Sequence, residues 1–292
     1  MKNKLIFIIS MVIFGTIGIF RKFIPLDSAV ISFSRGVIGT LFLIVFLLVK
    51  KDKPNIKELK SYIVLLIISG CLIGINWLFL FESYKYTSVA TSTLCYYMAP
   101  IFVMIASTFV FKEKLKAINI ICMLIAFVGM IFVSGVLEIG FDDKNALLGV
   151  LYGLAAAVLY ATVVLLNKKI KVENAYYKTL IQLFFSALVL VPYLLLNNSF
   201  DKIALDAKVC ILILIVGIIH TGISYVLYFG SITKVKTQFI SIFSYIDPVI
   251  AIILSAIILK DSMTFLGVVG AILILGVSLF MEIFDMKQKH QE

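Results

Sequence analysis

Residues 88–113 read SVATSTLCYYMAPIFVMIASTFVFKE, an apolar run interrupted once by Pro100 and closed by a short charged group. About 20 apolar residues at ~1.5 Å rise each cross a bilayer, so the stretch is predicted to span one. The pattern returns 148 positions later as KTQFISIFSYIDPVIAIILSAIILKD, residues 236–261. Tyr97 then falls on Tyr245, Pro100 on Pro248, and Lys112 and Glu113 on Lys260 and Asp261. That offset is about half of the 292-residue chain, which predicts two similar membrane halves.

Composition points the same way. The chain is 62% hydrophobic and 14% charged, with a mean hydropathy of +1.12. Soluble domains carry about 25% charge, so polar surface is too scarce here for a soluble globule. A net charge of +10 would suggest nucleic acid in a soluble protein. In a membrane protein it reads as loop lysines that fix orientation, and no nucleic-acid partner is expected. The first 20 residues place two lysines before an apolar run, as a signal peptide does. Arg21, Lys22 and a second apolar segment follow in place of a small-residue cleavage pattern, so this is read as the first membrane helix. Cys71, Cys95, Cys122 and Cys210 lie in or beside apolar segments. Without ligand spacing they read as buried small hydrophobes, and neither a metal nor a cofactor is expected.

Ten apolar segments can be placed, at 4–20, 28–49, 62–82, 88–111, 117–134, 147–167, 175–196, 208–230, 237–259 and 264–284. Each is too long and too uniformly apolar for a barrel strand, and backbone groups in lipid must be satisfied within a helix. The fold class is therefore all-α integral membrane. With the N-terminus inside, the loops and tails hold 18 lysines and arginines on the cytoplasmic side and 7 outside. This excess places both termini in the cytoplasm. Five helices per half is an odd number, so the halves, 1–140 and 141–292, enter the membrane in opposite senses as an inverted repeat.

Several residues within the segments carry candidate roles. Pro100 and Pro248 each remove a backbone donor and kink a helix, as a shaping bend or as a source of free carbonyls for a substrate or gate. Asp247 stands near the middle of the ninth segment, where a charge costs about 2.5–3.5 kcal/mol on insertion scales. It is a candidate for carrying a proton or meeting a cation, or a structural partner for Arg35. Its repeat partner is Ala99, so the shared framework does not demand the acid. Arg35 is a candidate carboxylate clamp or a structural, gating residue. His220 is a candidate proton shuttle or a hydrogen-bonded core histidine. Glu82 with Lys85, at i, i+3 spacing, reads as a locally paired interface charge. At the 148 offset Trp77 pairs with Tyr225, Asn76 with Ser224 and Tyr97 with Tyr245, while Phe14 faces Tyr160 at a slightly different offset. Such pairs line one cavity around a pseudo-axis, or serve as interfacial belts.

Tyr97-Met-Ala-Pro100 followed by Phe111-Lys-Glu113, its echo Tyr245-Ile-Asp-Pro248 followed by Leu259-Lys-Asp261, the glycines of the fifth and tenth segments, and Arg35 together resemble the drug/metabolite transporter superfamily, in its EamA-type ten-helix members. The resemblance covers nearly the whole chain and rests on the order and doubling of its motifs. It implies a secondary carrier of small organic metabolites, with amino acids or related compounds the best match. Substrate would sit in a central cavity formed by helices 1, 3, 4, 6, 8 and 9. The sequence carries no phosphate-binding glycine loop with Lys-Ser/Thr and no nucleophile elbow, so a gradient, of protons among others, is the expected energy source and no enzymatic activity is expected. The other readings are a receptor or scaffold without transport, and a carrier of drugs or nucleotide-type metabolites. The expected surroundings are the bacterial plasma membrane, the lipid bilayer and a small-molecule substrate, with the chain a monomer or homodimer.

Overall fold

The computed structural model describes residues 2–110, 112, 117–133, 137, 143–199, 206–232, 234–235 and 243–288. Glu113 and Lys116 of the first charged run, the start of the ninth segment at 237–242, and His290 lie outside the described residues. The ten predicted segments appear as helices α1 (Lys2–Phe23), α2 (Ser28–Lys50), α3 (Ile63–Tyr86), α4 (Val89–Tyr96 and Ala99–Val110), α5 (Ala117–Val133), α6 (Lys144–Lys169), α7 (Ala175–Leu188 and Val191–Leu196), α8 (Ala207–Ile232), α9 (Ile246–Ile258) and α10 (Phe265–Gln288). A short surface helix, Ile56–Ser61, precedes α3. Seven of the described helical spans are long and apolar enough to cross a membrane, and three shorter apolar helices accompany them. Side chains such as Phe109, Leu196 and Phe265 are at least 80% exposed. Water would not tolerate so broad an apolar face, and lipid does.

Local chemistry sets the starts of the helices. Ser88, Asp143, Asn174 and Asp206 each accept a hydrogen bond from a backbone N–H in the first turn that follows, opening α4, α6, α7 and α8. Without such a partner those first-turn donors would be unsatisfied at the membrane edge.

Helix packing comes in pairs. α1 packs on α8 as α6 packs on α3; α2 packs on α8 as α7 packs on α3; α1 packs on α9 as α6 packs on α4. α2 packs on α7, α4 on α9, and α5 on α10. Exchanging each helix of the first five with its counterpart in the second five carries this set of contacts into itself. Small residues allow the close approaches that drive association in lipid, where no hydrophobic force acts between helices. At the α5–α10 contact a Cβ added to Gly129 would lie 2.9 Å from the Gly270 carbonyl oxygen, and one on Gly270 2.5 Å from that of Gly129.

The backbone repeats in detail. Among the described residues, four non-glycines have positive φ: Lys51 (55°), Lys112 (56°), Asn198 (48°) and Lys260 (57°). They form two repeat pairs, ending α2 and α7, and α4 and α9. At the first pair the hydrogen bonds match as well: Lys51 N–H to Leu48 O and Asp52 N–H to Leu47 O, against Asn198 N–H to Leu195 O and Ser199 N–H to Leu194 O. Both are left-handed caps of the Schellman type.

Candidate functional site

The helix carrying the first repeated motif breaks at Tyr97 and Met98, and the helix carrying the second breaks at Ser244 and Tyr245. Proline supplies no N–H and its ring collides with the carbonyl four residues back, so the disturbance falls upstream of Pro100 and of Pro248. Tyr97 has φ −73° and ψ 4°; Tyr245 has φ −73° and ψ −5°. The two rings meet with centroids 6.3 Å apart. α4 and α9 thus cross where both are broken.

Other helices bring their groups to this crossing. Asp247, in the first turn of α9, stands within side-chain hydrogen-bonding reach of Tyr97. α1 passes so close that a Cβ on Gly15 would lie 2.5 Å from the Asp247 carbonyl oxygen. The neighbouring Phe14 ring lies 5.5 Å from Tyr225 and 6.2 Å from Tyr228. From α6, Tyr160 lies 5.3 Å from Tyr96, within electrostatic range of Asp247, Tyr225 and Tyr228. Tyr160 is nonetheless 42% exposed, so its ring is not closed over by its neighbours. Tyr96, Tyr97, Tyr225, Tyr228, Tyr245 and Asp247 are all partly exposed toward their surroundings.

Behind this layer stands a closed one. Arg35 is 5% exposed; its Nε donates to Thr221 Oγ1 at 2.8 Å, and its guanidinium carbon lies 3.9 Å from the centre of the Trp77 ring. The field of Arg35 reaches Asp247. Asn76 donates to the Ala156 carbonyl at 2.6 Å. Thr221 passes its own proton to Val216 O at 3.1 Å, a bond to the fifth residue back. Residues 215–223 of α8 form a π-helical turn, a feature common at functional positions.

The predicted residues therefore divide. Phe14, Tyr97, Tyr160, Tyr225, Tyr245 and Asp247 come together in one cluster. Arg35, Trp77 and Asn76 support it, with Pro100 and Pro248 shaping the two breaks. His220 and Ser224 stand apart: His220 Nε2 lies 2.8 Å from Thr16 Oγ1, and Ser224 donates to Ile219 O at 2.7 Å. Both are buried, His220 in the contact of α8 with α1. Sequence reasoning passed over Tyr96 and Tyr228. Tyr228 was visible as the residue three beyond Tyr225, on the same helical face; Tyr96 has Ser244 as its repeat partner and gave no paired signal.

The two ends of the bundle differ. At one, Asp52 accepts from Lys50 Nζ and from Asn174 Nδ2, each at 3.0 Å, and the Tyr177 hydroxyl donates to the Asp52 carbonyl at 2.8 Å. The Lys50 and Asn174 hydrogen bonds hold the Asp52 carboxyl below the usual aspartate range. At the other, Lys85 pairs with Glu82 at 2.6 Å and Asp27 at 3.6 Å. A cavity of about 440 Å³ opens there, lined by Arg21, Asp27, Lys85 and Ser199 with apolar neighbours; none of the clustered tyrosines lines it.

Comparison with known proteins adds the following. The model of the EamA-like transporter family matches residues 2–135 and again 147–282. The chain is 34% identical over 252 residues to the uncharacterized transporter YxxF of Bacillus subtilis (strain 168), covering 86% of this chain and 79% of that one. An uncharacterized transporter of Clostridium kluyveri is 26% identical over 286 residues, 94% of this chain and 91% of its own. A crystal structure at 16% identity superposes with a TM-score of 0.64 over 98% of both chains, which shows a shared fold.

Proposed function

Because the chain belongs to the EamA-like transporter family, we propose that it is a secondary carrier of a small organic metabolite, an amino acid or a related compound. Its two halves, residues 1–140 and 141–292, form inverted five-helix repeats. Rocking of one against the other exposes the tyrosine-lined space to each side of the plasma membrane in turn, with both termini in the cytoplasm. The observation that carries this reading is the doubled helix break at Tyr97 and Tyr245, which sets a partly exposed carboxylate among aromatic faces inside a membrane bundle. Cavities of this make-up, apolar walls with few polar groups, suit organic ligands of moderate size. An intramembrane carboxylate is by default a functional group, and Asp247 is assigned proton coupling.

The test is counterflow in proteoliposomes over a panel of labelled amino acids, amines, nucleosides and sugars, with and without a pH gradient. Saturable exchange of one class is the expected result. With a gradient imposed, Asp247→Asn should retain folding and lose the gradient-driven component of uptake. A variant as pH-sensitive as the native protein would remove proton coupling from Asp247, and absence of exchange by any compound would count against a carrier.

A further inference from the structure

The space between α1, α4, α6, α8 and α9 is lopsided in charge. Its acid and its cation are presented differently. Asp247 is partly exposed and has Tyr97 within hydrogen-bonding reach. Arg35 is enclosed: Thr221 takes its Nε hydrogen, the Trp77 ring covers its guanidinium at 3.9 Å, and Phe81 stands 5.9 Å away. A carboxylate entering the space finds a guanidinium only 5% exposed, with its Nε hydrogen taken and one face covered, whereas an ammonium finds a carboxylate and the faces of several tyrosines.

Those faces are placed for that use. Tyr96 has Tyr97 and Tyr160 at centroid distances of 6.3 and 5.3 Å, and Tyr97 has Tyr245 at 6.3 Å. Tyr160 keeps 42% of its surface open. A ring face attracts a cation within about 6 Å, more strongly when water is excluded. The repeat sharpens the point. Ala99, the counterpart of Asp247, is buried in a framework that bends in the same way, so the acid is an addition to the scaffold.

The geometry points to an organic cation as the preferred substrate: a compact ammonium held by Asp247 and the tyrosine faces, joined to an apolar body, with no carboxylate required. This rests on the carrier reading and narrows it from amino acids to amines.

The experiment uses the full chain in proteoliposomes and two matched sets of labelled probes. One set is phenethylamine, L-phenylalanine and 3-phenylpropionate; the other is isoamylamine, L-leucine and isocaproate. Within each set the body is similar and the head is cationic, zwitterionic or anionic. The expected result is exchange of the amine with a half-saturation concentration at least about tenfold below that of the amino acid, and none of the acid. Asp247→Asn should erase the difference between amine and amino acid. Tyr160→Phe should preserve it, and Tyr160→Leu should weaken amine exchange about 2–30-fold, the range of a cation–ring contact. Exchange of the amino acids in preference to the amines would overturn the cation assignment and leave the carrier reading standing. Amine exchange undiminished by Asp247→Asn would also overturn it. Silence of all six compounds, with the protein folded, would count against both.

Discussion

The two broken helices carry nearly the same backbone and different chemistry. Tyr97 and Tyr245 share φ and differ by a few degrees in ψ; each helix ends on a left-handed lysine, Lys112 and Lys260. Two residues beyond each tyrosine the likeness stops, with Ala99 on one side and Asp247 on the other. The bend belongs to the architecture that both halves need. The acid belongs to one half alone, and its intramembrane cost is borne where the first half shows that the fold does not require it.

The comparison breaks most sharply under exchange of these two residues. Asp247→Ala should abolish transport, at least about 100-fold, with the melting temperature kept or raised, because a costly intramembrane charge is removed. Ala99→Asp should lower stability by about 2.5–3.5 kcal/mol without restoring transport to Asp247→Ala. Denaturation and counterflow of the three variants decide it. Recovery of transport in the double variant would make the two breaks equivalent.

Next in size is the approach of α1 to α9. Gly15→Val sets a branched side chain where even a Cβ meets the Asp247 carbonyl at 2.5 Å. A loss of about 1–3 kcal/mol is expected, together with loss of transport. Its counterpart on α6 is Ala161, which is buried and already bears a Cβ. Ala161→Gly should cost only about 0.5–1 kcal/mol. Equal losses in chemical denaturation would contradict the asymmetry.

Smaller, and equal in the two halves, should be the effect of Lys112→Gly and Lys260→Gly. At φ 56° and 57° a side chain strains the backbone by about 1–2 kcal/mol, so each variant should gain up to about 1 kcal/mol after the added freedom of the unfolded chain is subtracted. Gains that differ widely between the two sites would show that the caps match in shape only.

The smallest effect lies at the ends of the bundle, where the comparison returns in another form. Asp52 and Ser199 follow matching caps, and Asn174 and Asp27 precede α7 and α2. Asp52 is hydrogen-bonded to Asn174, whereas Ser199 and Asp27 both line a cavity. The folded-state carboxyl of Asp52 titrates below its ordinary value of 3.8. Its contribution is present above that value and disappears as pH falls through the lower folded one. Asp52→Asn should lower the melting temperature slightly at neutral pH and flatten its fall in acid. An unchanged acid limb would remove Asp52 from the clasp.

Much of this was readable from residue types. Spans and boundaries follow from long apolar runs cut by lysines, and Pro100 and Pro248 announced both breaks. The meeting of Tyr97 with Tyr245 was implied by spacing because a repeat turns a sequence offset into proximity, whereas the offset pairs Phe14 with Tyr160 and did not announce its contact with Tyr225. What was hidden depended on partners far along the chain. Nothing near His220 signals that Thr16, 204 positions away, occupies its ring nitrogen. Nothing near Arg35 signals that Thr221 and Trp77 enclose it. The π-turn was equally silent, because IVGIIHTGI is as apolar as any helical stretch and its cause is a hydrogen-bond choice by the backbone.

That turn can act as a phase buffer. The repeat offset is 147 at the caps ending α2 and α7 and 148 from Gly74 and Gly222 onward, so the second half carries one extra residue between 198 and 222, an interval that holds most of the 215–223 turn. In an α-helix one residue is a rotation of about 100°. A turn widened to take up an extra residue spares everything C-terminal to it, Tyr225 and Tyr228 included, that rotation about the axis of α8. Deleting Ile218 should let the segment close as ordinary α-helix with both tyrosines facing as before, whereas one alanine inserted between Ser224 and Tyr225, where the helix is α, should swing both tyrosines away without altering either one. Accessibility of a cysteine placed at position 225 would report the rotation. The width of one turn then decides which face of α8 meets the other tyrosines.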